Sequence, residues 1–207
     1  MRINKFISHN TNYSRREADE LLKAGKVSIN GRVVSDLSTE VKDSDKVRIG
    51  SRLIKLKKEF SMIVYNKQKG ELVTKKDDRG RKTIYDTLPR GFSKFISVGR
   101  LDYASEGLLL LTDAPAIAQA LMDSDIEREY YLKIKGEITE QVINAMREGF
   151  FAKDATKGAH AKTKQISMEF KPFLAYKIIS QSGGYTRLKV IISEGQNREL
   201  RRFFGYF

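Results

Sequence analysis

The segment Gly99-Arg100-Leu101-Asp102-Tyr103-Ala104-Ser105-Glu106-Gly107, followed at once by Leu108-Leu109-Leu110-Leu111-Thr112-Asp113, constrains this chain more than any other. A guanidinium and a carboxylate stand two residues apart in a turn bounded by glycines. The apolar run behind them has the length of a buried strand. Holding charged groups at the mouth of such a strand costs free energy unless they are paired or used. A site of that kind points to chemistry. The competing reading of a lone aspartate in a turn is a capping side chain.

The pattern around this segment is that of alternating strands with a few helices between them. A strand is expected at residues 62–65, and Gly70 permits a turn. Residues 75–82 are polar and basic and read as a loop. Thr83 caps a short helix at 84–88 that stops at Pro89. After the Leu108–Thr112 strand, Asp113 is the expected N-cap of a helix over 116–122, with Pro115 in its first turn. Tyr130, Leu132 and Ile134 alternate with Tyr131, Lys133 and Lys135, as in a half-buried strand. Thr139 caps a helix over 142–147 closed by Gly149. Strands are expected at 161–170, 176–180 and 186–192, and Asn197 is expected to open a helix carrying Arg198, Arg201 and Arg202. This pattern predicts an α+β fold whose larger domain, residues 62–207, holds a mixed, mostly antiparallel sheet with flanking helices. Neither a Walker-type phosphate loop nor a dinucleotide glycine fingerprint is present.

Residues 1–58 read as a separate small domain of helix plus hairpin, with 14 basic residues against 7 acidic ones. Ser14-Arg15-Arg16-Glu17 is a capping box. Ala18, Leu21 and Leu22 form an apolar stripe, Gly25 ends the helix, and Asn30-Gly31 marks a tight hairpin turn. Arg15 and Arg16 stand in the first helical turn, where the macrodipole disfavours cations. An external phosphate would compensate both. Arg2, Lys5, Lys23 and Lys26 widen the same candidate patch. The alternative for each is a solvated charged face.

Lys and Arg total 39 against 26 acids, a formal charge of +13, which implies a polyanionic partner, nucleic acid first. The absence of cysteine excludes disulfides, thiol catalysis and Cys-based zinc sites. With only His9 and His160 as imidazoles, no metal site is expected. No apolar run approaches the roughly 18 residues of a membrane span. A signal-peptide core is also missing, so no membrane partner and a cytoplasmic location are expected.

Four segments carry a family resemblance. Gly99-Arg100-Leu101-Asp102 with Ser105-Glu106-Gly107-Leu108-Leu109-Leu110-Leu111-Thr112 resembles the catalytic motif of the RsuA/RluB branch of pseudouridine synthases. Asn66-Lys67-Gln68-Lys69-Gly70 resembles that branch's first motif, and Glu127-Arg128-Glu129-Tyr130 its tyrosine motif. Glu194-Gly195-Gln196-Asn197-Arg198-Glu199-Leu200-Arg201-Arg202 resembles its basic C-terminal motif. The N-terminal block resembles the RNA-binding domain named after ribosomal protein S-four, through Arg2, Lys5, Ser14, Arg15, Arg16, Ala18, Leu21, Gly25, Val27, Asn30 and Gly31.

The resemblance implies a pseudouridine synthase fold, a cleft across one face of the sheet, and a monomer that isomerises uridine in ribosomal RNA without a cofactor. The form Asn197-Arg198-Glu199-Leu200-Arg201 favours the large-subunit branch over the small-subunit one. The base–sugar bond breaks, the uracil turns, and carbon 5 joins the sugar. The resemblance assigns Asp102 as the catalytic carboxylate, acting either as a nucleophile or as a base on the sugar. It makes Tyr130 the tyrosine that packs on the base, with Tyr131 on the opposite face. It makes Arg201 the cation that pairs with the aspartate and holds it ionised. Arg198 and Arg100 are expected at RNA, with a scaffold salt bridge as the alternative for Arg100. Arg202 is expected to be peripheral. Lys67 and Lys69 are expected either at the RNA backbone or in solvent. The family pattern continues with strand-forming sequence beyond Phe207, so the sequence is expected to be truncated or to lack that segment. A non-catalytic ribosome-assembly factor would explain the charge but leaves Asp102, Tyr130 and Arg201 without a purpose. An RNA-cleaving hydrolase lacks its usual carboxylate–metal cluster or His pair.

Overall fold

A computed structural model describes all residues, Met1–Phe207. The chain divides into two units, Met1–Asp123 and Ser124–Phe207. No helix is long and apolar enough to cross a membrane.

The first unit begins with a helix that the sequence pattern did not announce, α1 (Ile3–Asn10), whose N-cap Arg2 makes no side-chain capping bond. Ile3 and Ile7, one turn apart, are fully buried. Helix α2 (Arg15–Lys23) starts in the expected capping box. Ser14 Oγ accepts from the Glu17 N–H (3.2 Å), and the Glu17 carboxylate accepts from the Ser14 N–H (2.6 Å). The helix ends in a Schellman motif: Lys26 N–H donates to the Leu21 carbonyl and Gly25 N–H to that of Leu22. Strands β1 (Val27–Ile29) and β2 (Arg32–Val33) pair through Asn30-Gly31, both at positive φ (51° and 85°), as a two-residue hairpin turn requires. With β3 (Val47–Ile49) and β4 (Arg52–Leu53) they form an antiparallel sheet in the order β2-β1-β3-β4. Ile3, Ile7, Ala18, Leu22, Val27, Val41 and Val47 make its core.

Residues 57–61 join this block to the next element through two fixed anchors. Lys57 N–H donates to Asn10 Oδ1, and the Lys57 ammonium pairs with Asp113 at 2.7 Å. Asp113 also accepts from the Ser61 N–H. That engagement removes Asp113 from the capping role the sequence suggested. The N-cap of α4 (Pro115–Met122) is Ala114, whose N–H donates to Thr112 Oγ1. Strands β5 (Met62–Lys67), β6 (Ile96–Ser97) and β7 (Gly107–Thr112) form an antiparallel sheet in the order β5-β7-β6. The leucine run is buried on one face: Leu109 and Leu111 are in the core, while Leu108 is exposed. Between β5 and β6, Thr83 and Asp86 cap the short helix α3 (Ile84–Thr87).

In the second unit, β8 (Arg128–Lys135) alternates in burial as its sequence predicts. It pairs with β12 (Tyr185–Ile192), which pairs with β11 (Ala175–Ser182), giving the order β11-β12-β8. Thr139 caps α5 (Glu140–Glu148). A small sheet of β9 (Phe150–Ala152) and β10 (Met168–Phe170) follows. The expected strand over 161–170 survives only at its end, because residues 153–167 loop around α6 (Glu199–Tyr206). Along α6, Leu200, Phe203 and Phe204 recur at helical spacing. Phe203 is fully buried against Phe150, Phe170 and Phe173. Every strand pairing in both units is antiparallel, and the one parallel contact is the isolated bridge Leu72–Thr83. The α+β architecture therefore stands, with the expected antiparallel pairing dominant.

Gly158 sets how closely that loop meets α6. A Cβ there would lie 2.1 Å from the Arg201 carbonyl oxygen, and its φ is +81°. Gly183 has a similar positive φ with open space around it. Gly183→Ala should cost about 1–2 kcal/mol for the backbone conformation alone. Gly158→Ala adds a collision with helix backbone and should cost more by at least about 1 kcal/mol in chemical denaturation. Equal losses would contradict this packing.

Candidate active site

Within the first unit, Asp102 sits in the turn between β6 and β7, half-buried, and its carbonyl accepts from the Ser105 N–H at 3.0 Å. Arg100 is exposed beside it. Tyr103 carbonyl accepts from the Gly70 N–H at 2.8 Å, which ties this turn to the one after β5. The Tyr103 hydroxyl lies 3.8 Å from where a Gly70 Cβ would stand.

Lys67 is the residue that fixes the turn. It has no exposed surface, contrary to the expectation of an RNA contact or a solvated chain. Its ammonium donates to the Ser105 carbonyl (2.7 Å) and to the Gln68 carbonyl (2.9 Å). Burial lowers its pKa, against the opposing pull of Glu71, Asp102 and Glu106. The signal for this role was in the strand itself. Along β5, Ile63, Tyr65 and Lys67 share the inward phase. Lys69, two residues on, stays exposed and pairs with Glu106 at 3.0 Å.

Glu71, also absent from the sequence expectations, is 1% exposed. Its carboxylate accepts from the Tyr65 hydroxyl (2.7 Å), Thr87 Oγ1 (2.6 Å) and the Gln68 N–H (3.3 Å), and pairs with Lys82 at 3.2 Å. Burial alone would raise its carboxyl, but the donors outweigh burial and bring it down to about 2. The same burial, with Glu71 beside it, pushes the Tyr65 hydroxyl up to about 12. The basic loop at 75–82 is ordered by Asp77, whose carboxylate accepts from the Arg81 guanidinium (2.7 Å) and the Arg81 N–H (2.9 Å).

The N-terminal cations fall into three groups. Lys5 and Arg15 both act on half-buried His9, whose pKa is lowered by burial first and then by these two charges. Arg16 and Lys26 are exposed. Arg2 and Lys23 instead line a shallow depression with Asp19 and Asp36, and Lys23 pairs with Glu20 at 2.9 Å.

In the second unit, Tyr130 lies on the half-buried face of β8 opposite Val190, and Tyr131 is 70% exposed opposite Lys189. The C-terminal motif departs from expectation at its start. Arg198 precedes the helix as its N-cap at φ +54°, and its Nε donates to the Gly158 carbonyl at 2.8 Å. Arg201 is exposed on α6. Arg202 is fully buried, not peripheral. It donates to the Ala155 carbonyl (2.7 Å) and the Gln165 carbonyl (2.9 Å), gathering the loop around α6.

The buried Glu71 predicts a pH signature. Its folded value, about 2, lies below the reference 4.5, so its stabilisation is complete above about 4.5 and fades as pH falls toward 2. Urea unfolding of Glu71→Gln protein should change less between about pH 5 and pH 3 than that of wild type. Parallel pH dependence in the two proteins would contradict the assignment.

Comparison with known proteins gives the chain's relatives. The family model described as RNA pseudouridylate synthase matches residues 61–205, and that of the S4 domain matches residues 1–47. A Helicobacter pylori protein named uncharacterized RNA pseudouridine synthase is 52% identical over 209 residues, covering 100% of this chain and 79% of its own length. Ribosomal large subunit pseudouridine synthase B of Bacillus subtilis is 32% identical over 205 residues, covering 98% of this chain and 79% of its own length. A crystal structure of pseudouridylate synthase shares the fold with a TM-score of 0.60 at 24% identity, over 100% of this chain and 83% of that one. With one family matching most of the chain and relatives above 30% identity along nearly all of it, the protein belongs to the RNA pseudouridylate synthases and carries an S4 domain at its N-terminal end.

Proposed function

We propose that this RNA pseudouridine synthase isomerises uridine in large-subunit ribosomal RNA, with Asp102 as its catalytic group. The observation that carries the reading is the Asp102 turn, held from behind by the buried Lys67 ammonium through the Ser105 carbonyl. Such anchoring suits a group that must meet a substrate atom in one geometry. Relatives at 32–33% identity named ribosomal large subunit pseudouridine synthase B support the choice of RNA.

The reaction exchanges the bond from the sugar to N1 of uracil for one to C5; the C5 hydrogen leaves as a proton and N1 takes up a proton in its place. No net oxidation occurs. Asp102 serves either by attacking as a nucleophile or by removing a sugar proton. Tyr130, by its match to the tyrosine motif, is the ring that packs on the base. Arg201, by its match to the last motif, is the cation that supports the ionised aspartate. The target uridine must leave its stack to react, at a cost of a few kcal/mol. Phosphate contacts by Lys5, Arg15, Arg16, Arg100 and Arg198 offset that cost. In this reading residues 1–58 capture structured RNA, largely by shape and backbone contacts, and residues 62–207 carry out the chemistry.

Chemical mapping of pseudouridine on large-subunit RNA treated with wild type or Asp102→Asn protein tests this. Wild type should modify one site or a tight cluster. The variant should bind the RNA with affinity within about threefold and leave uridine unchanged at that site, a loss of at least about a thousandfold. Modification by the variant, or none on this RNA by wild type, would sink the proposal.

A further inference from the structure

The three-stranded sheet β11-β12-β8 buries one face, where Leu132, Leu188 and Val190 pack into the core of the second unit. Its other face carries Lys133 and Lys135 on β8, Arg187 and Lys189 on β12, and Lys177 on β11. One carboxylate, Glu129, answers them and is held by Lys189 at 2.7 Å. Lysine on an edge strand is a common guard against unwanted pairing. That explanation does not reach Arg187 and Lys189, because β12 is the central strand.

The register makes the arrangement costly. Arg187 lies directly opposite Lys133, and Lys189 directly opposite Lys177. Like charges across a strand pair destabilise a sheet unless an anion lies over them. Two tyrosines stand among these cations on the same face. Tyr131 is 70% exposed and Tyr185 44% exposed. The Lys133 ammonium lies 4.2 Å from the Tyr185 ring centroid, and that of Lys189 lies 6.0 Å from that of Tyr131. Each ring is therefore flanked by a cation.

We propose that this face is a second RNA-binding surface, one that takes an unpaired strand by stacking its bases on Tyr131 and Tyr185. Lys133, Arg187 and Lys177 meet the phosphates on either side. Alternating rings and cations on an open sheet suit single-stranded RNA, because every base offers a stacking face and every step a phosphate. Duplex RNA would leave the rings unused. The surface lies outside the four sequence motifs apart from Glu129.

The test uses the full chain and a fluorescently labelled single-stranded oligouridine, with affinity measured by anisotropy across a salt series. Lys133→Gln with Arg187→Gln should flatten the plot of log Kd against log salt by roughly 1.4, at about 0.7 per phosphate contact. Tyr131→Ala with Tyr185→Ala should raise Kd at least about tenfold and leave the slope unchanged. Thermal midpoints within about 2 °C of wild type are the condition for reading either variant. Ultraviolet crosslinking of wild type to the same strand is a readout that needs no variant. Crosslinks within residues 131–135 or 185–189 are expected. Unchanged Kd and slope in both variants, or crosslinks confined to other segments, would overturn the proposal. These readouts are of binding alone, so they stand apart from whether large-subunit RNA is the substrate.

Discussion

A lysine ammonium with no exposed surface holds the turn that carries the proposed catalytic aspartate. Burying a charge costs several kcal/mol unless it is hydrogen-bonded and surrounded by opposite charge. Lys67 meets both conditions, with the Gln68 and Ser105 carbonyls as acceptors and Glu71, Asp102 and Glu106 as counter-charges. The Ser105 carbonyl belongs to the same turn as Asp102, so the position of β5 dictates the position of the carboxylate. Glu71 and its donors then fix the floor on which Lys67 rests.

The second unit solves a similar problem in the same way. Arg202 is buried and spends its guanidinium on the carbonyls of Ala155 and Gln165, drawing the loop of residues 153–167 around α6. Its neighbour Arg201 is left exposed on the same helix. Lys67 and Lys69 divide the work likewise, one inward to backbone and one outward to the Glu106 carboxylate. The surplus of +13 is therefore not all available to RNA. Part of it is internal scaffolding, and part of what stays outside lies on the outer face of β8 and β12.

Local signals were the legible part of the sequence. The Ser14–Glu17 box, the Asn30-Gly31 turn, the alternation along β8 and the cap at Thr139 each depend on residues within a few positions of one another. What stayed hidden depends on distant partners. Helix α1 has no side-chain cap and is held by a core formed with Val27, Val41 and Val47. Asp113 would cap a helix in isolation, but Lys57 and Ser61 engage it first. Which of Arg201 and Arg202 is buried depends on the loop that wraps the helix. Lys67 is the instructive case. Its strand phase points inward, but its partner carbonyl at Ser105 comes 38 residues later, and a lysine is so seldom buried that phase alone is a weak signal.

The proposed chemistry depends on Lys67 holding the Asp102 turn through the Ser105 carbonyl. Its most direct test is tritium release from ribosomal RNA labelled at uridine C5, measured under saturating RNA with wild type and with folded Lys67→Met protein. The variant should retain RNA affinity and lose turnover by about a hundredfold or more, as expected when a reacting group is misplaced by about 1 Å. Turnover at the wild-type rate would contradict it.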